Sequence, residues 1–321
     1  MVFKTKPQIA LDLIDRAKAN GIVVDAWTAD ELYGRDGAFL DGLDQRGEAF
    51  VVEIPPNAHV WLAKPKVLRK QPKNRGGRPR SYPRLRRRDA KPSEVKNLST
   101  YSPAFTEQRA QRYKTGDGSR GPEVWEIRWH TCWRKTKTSK LISKQCTLIV
   151  ARNALSGETK YFLSNRVPQR SGWTIRRILR GAFGRWPVEE CFREAKEELG
   201  LDHFECRGWR CIHRHLYTTI LSQLFCAKTR QSLSPSEDVL SGELLTMEQV
   251  RRASDVMIQT IGMSRRDREK KLCDEVARQN YYARRNATAA KSHKKARLKR
   301  LVLLGIHPDQ IKSIDVSRPS Q

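Results

Sequence analysis

The stretch RWPVEECFREAKEELGLDHFECR, residues 185–207, decides how the fold of this chain is interpreted. In a helix, apolar residues at spacings of three and four form one stripe, and such a stripe normally meets a core. The members of this stripe are Val188, Cys191, Phe192, Ala195 and Leu199. Pro187 suits the first helical turn, where its missing N–H costs nothing, and Gly200 is an ordinary C-terminal stop. The sequence therefore predicts a helix that ends near Gly200.

Two charged residues lie beside this apolar stripe. Lys196 follows Glu189 by seven residues, which is two helical turns, so both side chains project from the same side about 10 Å apart along the axis. Glu189 alone is a weak functional signal, because a glutamate on a helix surface is usually only solvated. Its interpretation depends on the rest of the chain.

The net charge predicts a polyanionic partner. Lys and Arg total 63 against 35 Asp and Glu, a surplus of 28 positive charges in 321 residues. The basic residues thicken at residues 64–88 and 284–300. Apolar runs stay well short of the roughly 20 residues that span a bilayer, and the N-terminus lacks the apolar block of a signal peptide. We expect a cytoplasmic protein that faces nucleic acid and no membrane.

The cysteines are expected to be reduced thiols. Their number is seven, which is odd, and they are scattered without a secretion signal. One cluster within ten residues suggests zinc, and it consists of Cys206, Cys211, His213 and His215. Its spacing matches no familiar zinc motif. In a helix from Trp209, Cys211 and His215 share a face while His213 points elsewhere, so zinc is not favoured.

The order of predicted elements indicates an α/β fold. Residues 6–20 have a helical period, 22–27 read as a short buried strand, 36–47 as a second helix and 48–55 as a second strand. Residues 63–120 lose this periodicity and fill with Pro, Gly, Arg and Lys.

The second half of the chain changes from strands to helices. Three further strands are predicted at VWEIRWHTCW, QCTLIVA and TKYFLSN, which lie between residues 124 and 165. From residue 172 the pattern is helical, with one long helix from Trp209 to Leu233, and the C-terminal ninety residues are typical of basic amphipathic helices.

Asp25 is the first candidate for chemistry. It stands at the end of the predicted strand 22–27, and α/β sheets build their sites at the carboxyl ends of strands. Its alternative role is that of an ordinary loop-capping aspartate.

Several segments together resemble a known family. Arg185, Glu189 and Lys196 have the Arg-x3-Glu-x6-Lys spacing of the DDE transposases of bacterial insertion sequences, in the branch with a Tyr-Arg-Glu-Lys signature. The flanking GLDHFECR and the later RHL at 214–216 also resemble that branch. VVDAWTADELYGRDGAFLDGL at 23–43 resembles the segment with the second catalytic aspartate, and YFLSNRVP at 161–168 resembles the strand before the final helices.

The resemblance implies a partial ribonuclease H-like catalytic domain with a β-rich insertion and a C-terminal helical extension. Its expected parts are residues 1–55 (ribonuclease H-like α/β part), 56–168 (β-rich insertion with a basic loop), 169–233 (catalytic helices) and 234–321 (basic helical tail). The implied partner is double-stranded DNA, both insertion-sequence ends and target. A homodimer is one option for the oligomeric state, which the sequence does not determine.

The same resemblance assigns roles to individual residues. Asp25 and Glu189 would be the second and third catalytic carboxylates and ligands of Mg²⁺ or Mn²⁺, since hard cations prefer oxygen. Arg185 and Lys196 would hold DNA phosphate near the cleaved bond. Further DNA contacts are expected from the basic loop, at Arg87 and Arg88. The signature's tyrosine is absent, because Ala182 stands three residues before Arg185.

The first catalytic aspartate of the family has no counterpart in the resemblance. Only 24 residues precede Asp25, and Asp12 and Asp15 lie within the predicted helix 6–20, so neither is a credible substitute. We therefore expect an N-terminally truncated transposase that is inactive by itself. The alternative is a non-enzymatic, basic nucleic-acid-binding protein. The two hypotheses agree on DNA and differ in whether metal-dependent strand cleavage belongs to the protein.

Overall fold

The chain folds into two compact units. The computed structural model describes residues 3–68, 83–86, 89, 91–118, 121–138, 141–170, 172–233 and 245–314. The first unit comprises residues 1–185 and 293–321, and the second comprises residues 186–292. The predicted α/β class is confirmed, and a mixed sheet with flanking helices is consistent with the ribonuclease H-like expectation. The predicted four-part division stays a prediction.

The first unit contains the strands and six helices of the described chain. The strands are β1 (Trp27–Ala29), β2 (Phe50–Ile54), β3 (His59–Trp61), β4 (Val67–Leu68), β5 (Arg84–Leu85), β6 (Ser93–Glu94), β7 (Gln111–Gly118), β8 (Gly121–Arg134), β9 (Cys146–Asn153), β10 (Thr159–Ser164) and β11 (Lys312–Ser313). The helices are α1 (Lys6–Ala19), α2 (Glu31–Gly34), α3 (Gly37–Gln45), α4 (Val95–Tyr101), α5 (Pro103–Thr106) and α6 (Ile175–Phe183).

A nine-stranded sheet forms the centre of this unit. Its order is β1-β2-β10-β9-β8-β3-β6, while β7 also pairs with β8 and β11 with β7. β1 and β2 are parallel, with Trp27 opposite Phe50, whereas β2, β10, β9 and β8 are successively antiparallel. Within the predicted insertion, β4 and β5 form a separate two-stranded sheet, and the other described strands extend the same sheet as β1 and β2.

β2 is buried on both faces, which fixes where the helices pack. Phe50 and Val52 belong to one apolar cluster with residues of α1 and α3, while Val51 belongs to another with Ile178 and Leu179 of α6. Alternate residues of a strand point to opposite faces, so the run FVVEI serves two cores.

One predicted strand is wrong in its position. Residues 22–26 lie outside any strand, and β1 begins only at Trp27. Val23 is 94% exposed, so the apolar run that predicted a buried strand is largely unburied. The predictions for 36–47, 48–55 and the three later strands are confirmed by α3, β2, β8, β9 and β10. The region 63–120 holds α4, α5, β6 and β7, which its lack of periodicity concealed.

The second unit is helical. Its helices are α7 (Trp186–Leu199), α8 (Trp209–Leu233), α9 (Met247–Gln259) and α10 (Arg265–Leu303), of which α10 continues into the first unit. The end of α7 is as predicted, because Gly200 follows it with a φ of +68°. The predicted core stripe is only partly correct. Ala195 is buried, but Val188 and Phe192 are 53% and 58% exposed.

The reason is that the packed face of α7 is rotated away from Val188 and Phe192. Leu199 packs against a small cluster of Cys226, Met247 and Val250, and Glu198 pairs with Arg251 at 3.0 Å. α8 and α9 thus cover the side of α7 that carries Ala195 and Leu199.

All seven cysteines are free thiols, as expected from their scattered positions. No helix within the described residues combines the length and the apolar character that a membrane span requires.

A buried ion pair joins α3 to the β8–β9 hairpin. The guanidinium of Arg134 lies 2.6 Å from Asp41 Oδ1 and 2.6 Å from Asp44 Oδ2, and the side chains of Arg134 and Asp41 are each 5% exposed. Thr138 donates from its backbone N–H and its hydroxyl to Asp41 Oδ2. Burial acts to raise the pKa of Asp41, but the hydrogen bonds from Thr138 and Arg134 outweigh it, and the pKa is lowered.

Replacing Arg134 with Met is expected to lower the free energy of unfolding by about 3–5 kcal/mol, because it leaves a buried carboxylate without its cation. Urea unfolding measures this loss. The matched control is Arg35→Met, which removes the exposed pair with Glu31 and should cost less than about 1 kcal/mol.

The pH dependence follows from the lowered pKa of Asp41. The stabilisation is present above the ordinary pKa of 3.8 and is lost as the pH falls from there through the folded-state pKa. The Arg134→Met variant should show a smaller acid-induced loss, because only the hydrogen bonds from Thr138 to Asp41 remain. Equal acid sensitivity in both proteins would contradict the assignment.

Candidate active site

Asp30 occupies the carboxyl end of β1. It directly follows Ala29, caps α2, and accepts a hydrogen bond from the backbone N–H of Leu32 at 3.0 Å. Its side chain is half-buried. Because the carboxyl ends of strands are where open α/β sheets build their sites, Asp30 lies at the position that this rule selects.

Gly34 fixes the position of α2, and therefore of Asp30. A Cβ atom at Gly34 would lie 1.9 Å from the carbonyl oxygen of Glu53 in β2, which is far inside van der Waals contact. Only glycine lets the helix approach the strand this closely. The Tyr33-Gly34 pair noted in the sequence therefore has a structural reason, which is to seat α2 against the sheet.

Asp25 lies before β1 and not at its end. Its carboxylate accepts a hydrogen bond from Arg177 of α6 at 2.6 Å, with 50% of the aspartate side chain exposed. The guanidinium of Arg177 in turn lies over the ring of Trp173, 4.6 Å from its centroid. Asp25 was predicted as a site residue because the strand was expected at residues 22–27. In the structure β1 spans Trp27–Ala29, so the residue at its carboxyl end is Asp30.

The sequence signal for Asp30 was present but was read incorrectly. The buried strand was assigned to the more hydrophobic run IVV, whereas the paired residues are Trp27, Thr28 and Ala29. The position of β1 depends on its pairing with β2 and on α6, whose Gly181 would bring a Cβ atom to 3.8 Å from Thr28 Cγ2. Local hydropathy does not contain this information.

Glu189 lies in the first turn of α7, in the second unit, and is exposed. Lys196 is exposed on the same helix two turns later, as predicted from the spacing. Arg185 immediately precedes α7 and belongs to the first unit. The predicted roles of Glu189 in metal binding and of Arg185 and Lys196 in phosphate binding stay predictions, as does the proximity of Asp25 to Glu189.

Other acidic residues of α7 serve packing. Glu194 is partly buried and faces Arg230 of α8 at 4.0 Å, and burial raises the pKa of its carboxyl group. Arg193 donates to both Glu190 and Glu197 along the helix. These pairs explain the high acidic content of α7 without chemistry.

The described residues do not by themselves complete a metal centre. Asp25, Asp30 and Glu189 offer the oxygen ligands that Mg²⁺ prefers. However, no three His, Cys, Asp or Glu side chains converge as a group within the described ranges. A carboxylate-bound metal would therefore need ligands beyond these.

The weak zinc candidate also fails on geometry. The imidazole of His215 is within 2.8 Å of the carbonyl oxygen of Gly200, and that of His213 lies between the rings of Trp209 and Tyr217. Arg87 and Arg88, the predicted DNA contacts of the basic loop, lie outside the described residues.

Comparison with known families gives a match in the first part of the chain. Residues 1–122 match the family model described as DDE superfamily endonuclease. This match supports the predicted DDE family. The DDE-endonuclease segment includes both Asp25 and Asp30, together with β1, α2 and β2, whereas Glu189 lies beyond it. No curated protein matches the chain. The family supports nuclease or transposase chemistry in general and DNA as the general substrate.

Replacing Gly34 with Ala is expected to destabilise the DDE-endonuclease segment by about 1–3 kcal/mol, because the new methyl group overlaps the backbone of β2. Urea unfolding measures the change. The control is Gly116→Ala, where the added atom meets open space and the change should stay below about 1 kcal/mol. Equal effects at the two positions would show that α2 does not depend on this close approach.

Proposed function

We propose that this chain is a DDE-type, metal-dependent DNA endonuclease polypeptide of the transposase kind. The observation that carries the proposal is the location of Asp30, which stands at the carboxyl end of β1 within the family match. Glu189 supplies a second carboxylate, with Arg185 and Lys196 as its phosphate-binding neighbours in sequence. Asp30 replaces Asp25 as the better-supported acidic residue near β1, because Asp25 is engaged by Arg177.

The proposed cofactor is Mg²⁺ or Mn²⁺. DDE superfamily endonucleases generally depend on a divalent metal. Cleavage of a phosphodiester requires both the attacking and the departing oxygen to be stabilised, and paired metal ions held by several carboxylates meet this requirement. Two carboxylates hold a metal only weakly, so the proposal requires a third.

An open sheet edge supports the requirement for additional polypeptide. Among the described strands, β1 pairs only with β2, which leaves its other edge without a strand. Apolar side chains are exposed in the preceding segment, with Ile22 at 53% and Val23 at 94%. We infer that this edge takes a further strand that bears the missing acidic residue, and that residues 1–321 do not cleave DNA by themselves. An unpaired edge of this kind is otherwise a site of aggregation.

The second candidate function is non-enzymatic binding of nucleic acid. It is favoured by the ion pair of Asp25 with Arg177 and by the surplus of 28 positive charges. Both proposals share DNA as the partner. Insertion-sequence ends as the target, and a homodimer as the acting form, belong to the first proposal only.

The decisive experiment measures nicking of a supercoiled plasmid that carries the DNA flanking the gene, with Mg²⁺ or Mn²⁺. The chain of residues 1–321 should leave this plasmid intact. A longer protein, in which an added upstream segment supplies a strand-borne aspartate, should nick it. In that protein, Asp30→Asn or Glu189→Gln should reduce the rate by roughly a hundredfold or more, since each 1.36 kcal/mol of lost transition-state stabilisation is tenfold.

Asp25→Asn in the same longer protein is the matched control, and it should change the nicking rate by less than about tenfold because it breaks only an exposed ion pair. Two results would overturn the proposal. One is robust cleavage by residues 1–321 alone. The other is loss of cleavage on changing Asp25 while Asp30→Asn remains active.

A further inference from the structure

The long helix α10 has two halves of different charge. Its first part, residues 265–275, mixes five Lys or Arg with four Asp or Glu, and Arg265 pairs with Glu269. From Val276 to His307 the sequence holds nine Lys or Arg and no acidic residue. Arg278 pairs with Glu275 at the boundary of the two halves. Local ion pairs thus neutralise the first half and not the second.

The cations of the second half concentrate on one exposed face. Arg284, Lys291, Lys295 and Lys299 follow one another at spacings of seven, four and four, which places them along one side of the helix. All four are exposed. Hydrogen-bond donors share this side, namely Tyr281, Arg285, Thr288 and Ser292. We call these eight residues the α10 donor face.

The opposite side of α10 is turned toward the protein. Ala283, Ala287 and Ala290 are half-buried, and Leu301 is fully buried against Val124 and Ile306. Gly121 of β8 approaches the helix closely, because a Cβ atom there would lie 3.0 Å from Lys294 Cα. The donor face therefore lies opposite the less exposed side of α10.

We propose that the α10 donor face binds the phosphate backbone of duplex DNA. Arg284 and Lys299 lie about 22 Å apart along the helix axis. A duplex carries one negative charge per about 1.7 Å of its own axis, so it can supply phosphates to the whole face. Arg, Lys, Ser, Thr and Tyr are the side chains that contact phosphate without reading sequence. The choice of DNA as partner rests on the proposed function.

The chemistry of the helix disfavours an anionic membrane as the partner. Helices that bind membrane surfaces insert Trp, Phe or Leu from the side opposite their cations. In α10 that side carries Ala283, Ala287, Ala290, Lys294, Arg297 and Leu301, of which Leu301 is buried, so it offers a membrane no exposed Trp, Phe or Leu.

The test compares two variants of the full chain that lose the same charge from the same helix. The first changes Arg284, Lys291, Lys295 and Lys299 to Gln, and the control changes Arg266, Arg268, Lys270 and Lys271 to Gln. Gln has nearly the helix propensity of Lys and Arg, so helicity by circular dichroism should be unchanged in both. Binding to a fluorescent duplex is measured from about 50 to 200 mM salt.

The donor-face variant should bind at least about tenfold more weakly at 100 mM salt, and the slope of log K against log salt should fall by about 3 to 4, since each phosphate contact contributes roughly 0.9. The control should lose less than about one unit of slope. Equal losses in the two variants would mean that net charge alone drives binding and would overturn the proposal. An unchanged donor-face variant, or one impaired only on phosphatidylserine vesicles, would overturn it as well.

The proposed endonuclease site is tested separately by the nicking rates of the longer protein, whereas the donor face is tested by duplex binding alone. If the longer protein fails to cleave DNA, the proposal that the donor face binds DNA is therefore not contradicted. Conversely, the completed protein could cleave DNA while its donor-face variant binds DNA as tightly as the wild type. That result would reject only the proposal for the donor face.

Discussion

The parallel pairing of β1 with β2 is the constraint on which the rest of this structure depends. β2 is buried on both faces, so helices must cover both sides of the sheet at this point, and α3 and α6 do so. The close approach at Gly34 then places α2 directly against β2. As a result, the residue that joins β1 to α2 stands at a sheet edge suited to chemistry, and that residue is Asp30.

The buried pair of Arg134 with Asp41 and Asp44 extends this constraint to the rest of the sheet. It connects α3 to the β8–β9 hairpin, which lies three strands away from β2 in the sheet order. Asn165 reinforces the connection, because its amide group donates to Asp44 and its carbonyl oxygen accepts from the backbone N–H of Phe50 at the start of β2. β2 and β8 are thus linked through polar groups as well as through apolar packing.

The sequence was sufficient to predict the fold class and most of the elements, but not the details of the candidate site. Strong periodicity identified α7 and α8, and the continuous apolar run FVVEI identified β2. The position of β1 was not predictable from hydropathy, because IVV at 22–24 is the more apolar run yet has no strand beside it. Arg134 was also missed, since the two aspartates that make its burial possible are about 90 residues away in sequence.

The net charge could be predicted from the sequence, but the arrangement of the charges on the surface could not. The surplus of 28 positive charges predicted a polyanionic partner but not the surface that meets it. Only the helical geometry of α10 separates a charge-balanced half from the donor face, and only Arg177 of α6 explains why Asp25 is engaged. The central claim is therefore that Asp30 faces the metal, whereas Asp25 belongs to a structural ion pair.

Titration of residues 1–321 with Mn²⁺, followed by electron paramagnetic resonance of the free ion, tests this claim most directly. Wild-type protein should bind Mn²⁺ weakly, Asp30→Asn should weaken that binding by about tenfold or more, which is at least 1.4 kcal/mol, and Asp25→Asn should leave it unchanged. Loss of Mn²⁺ binding in Asp25→Asn, with Asp30→Asn indistinguishable from wild type, would contradict the account.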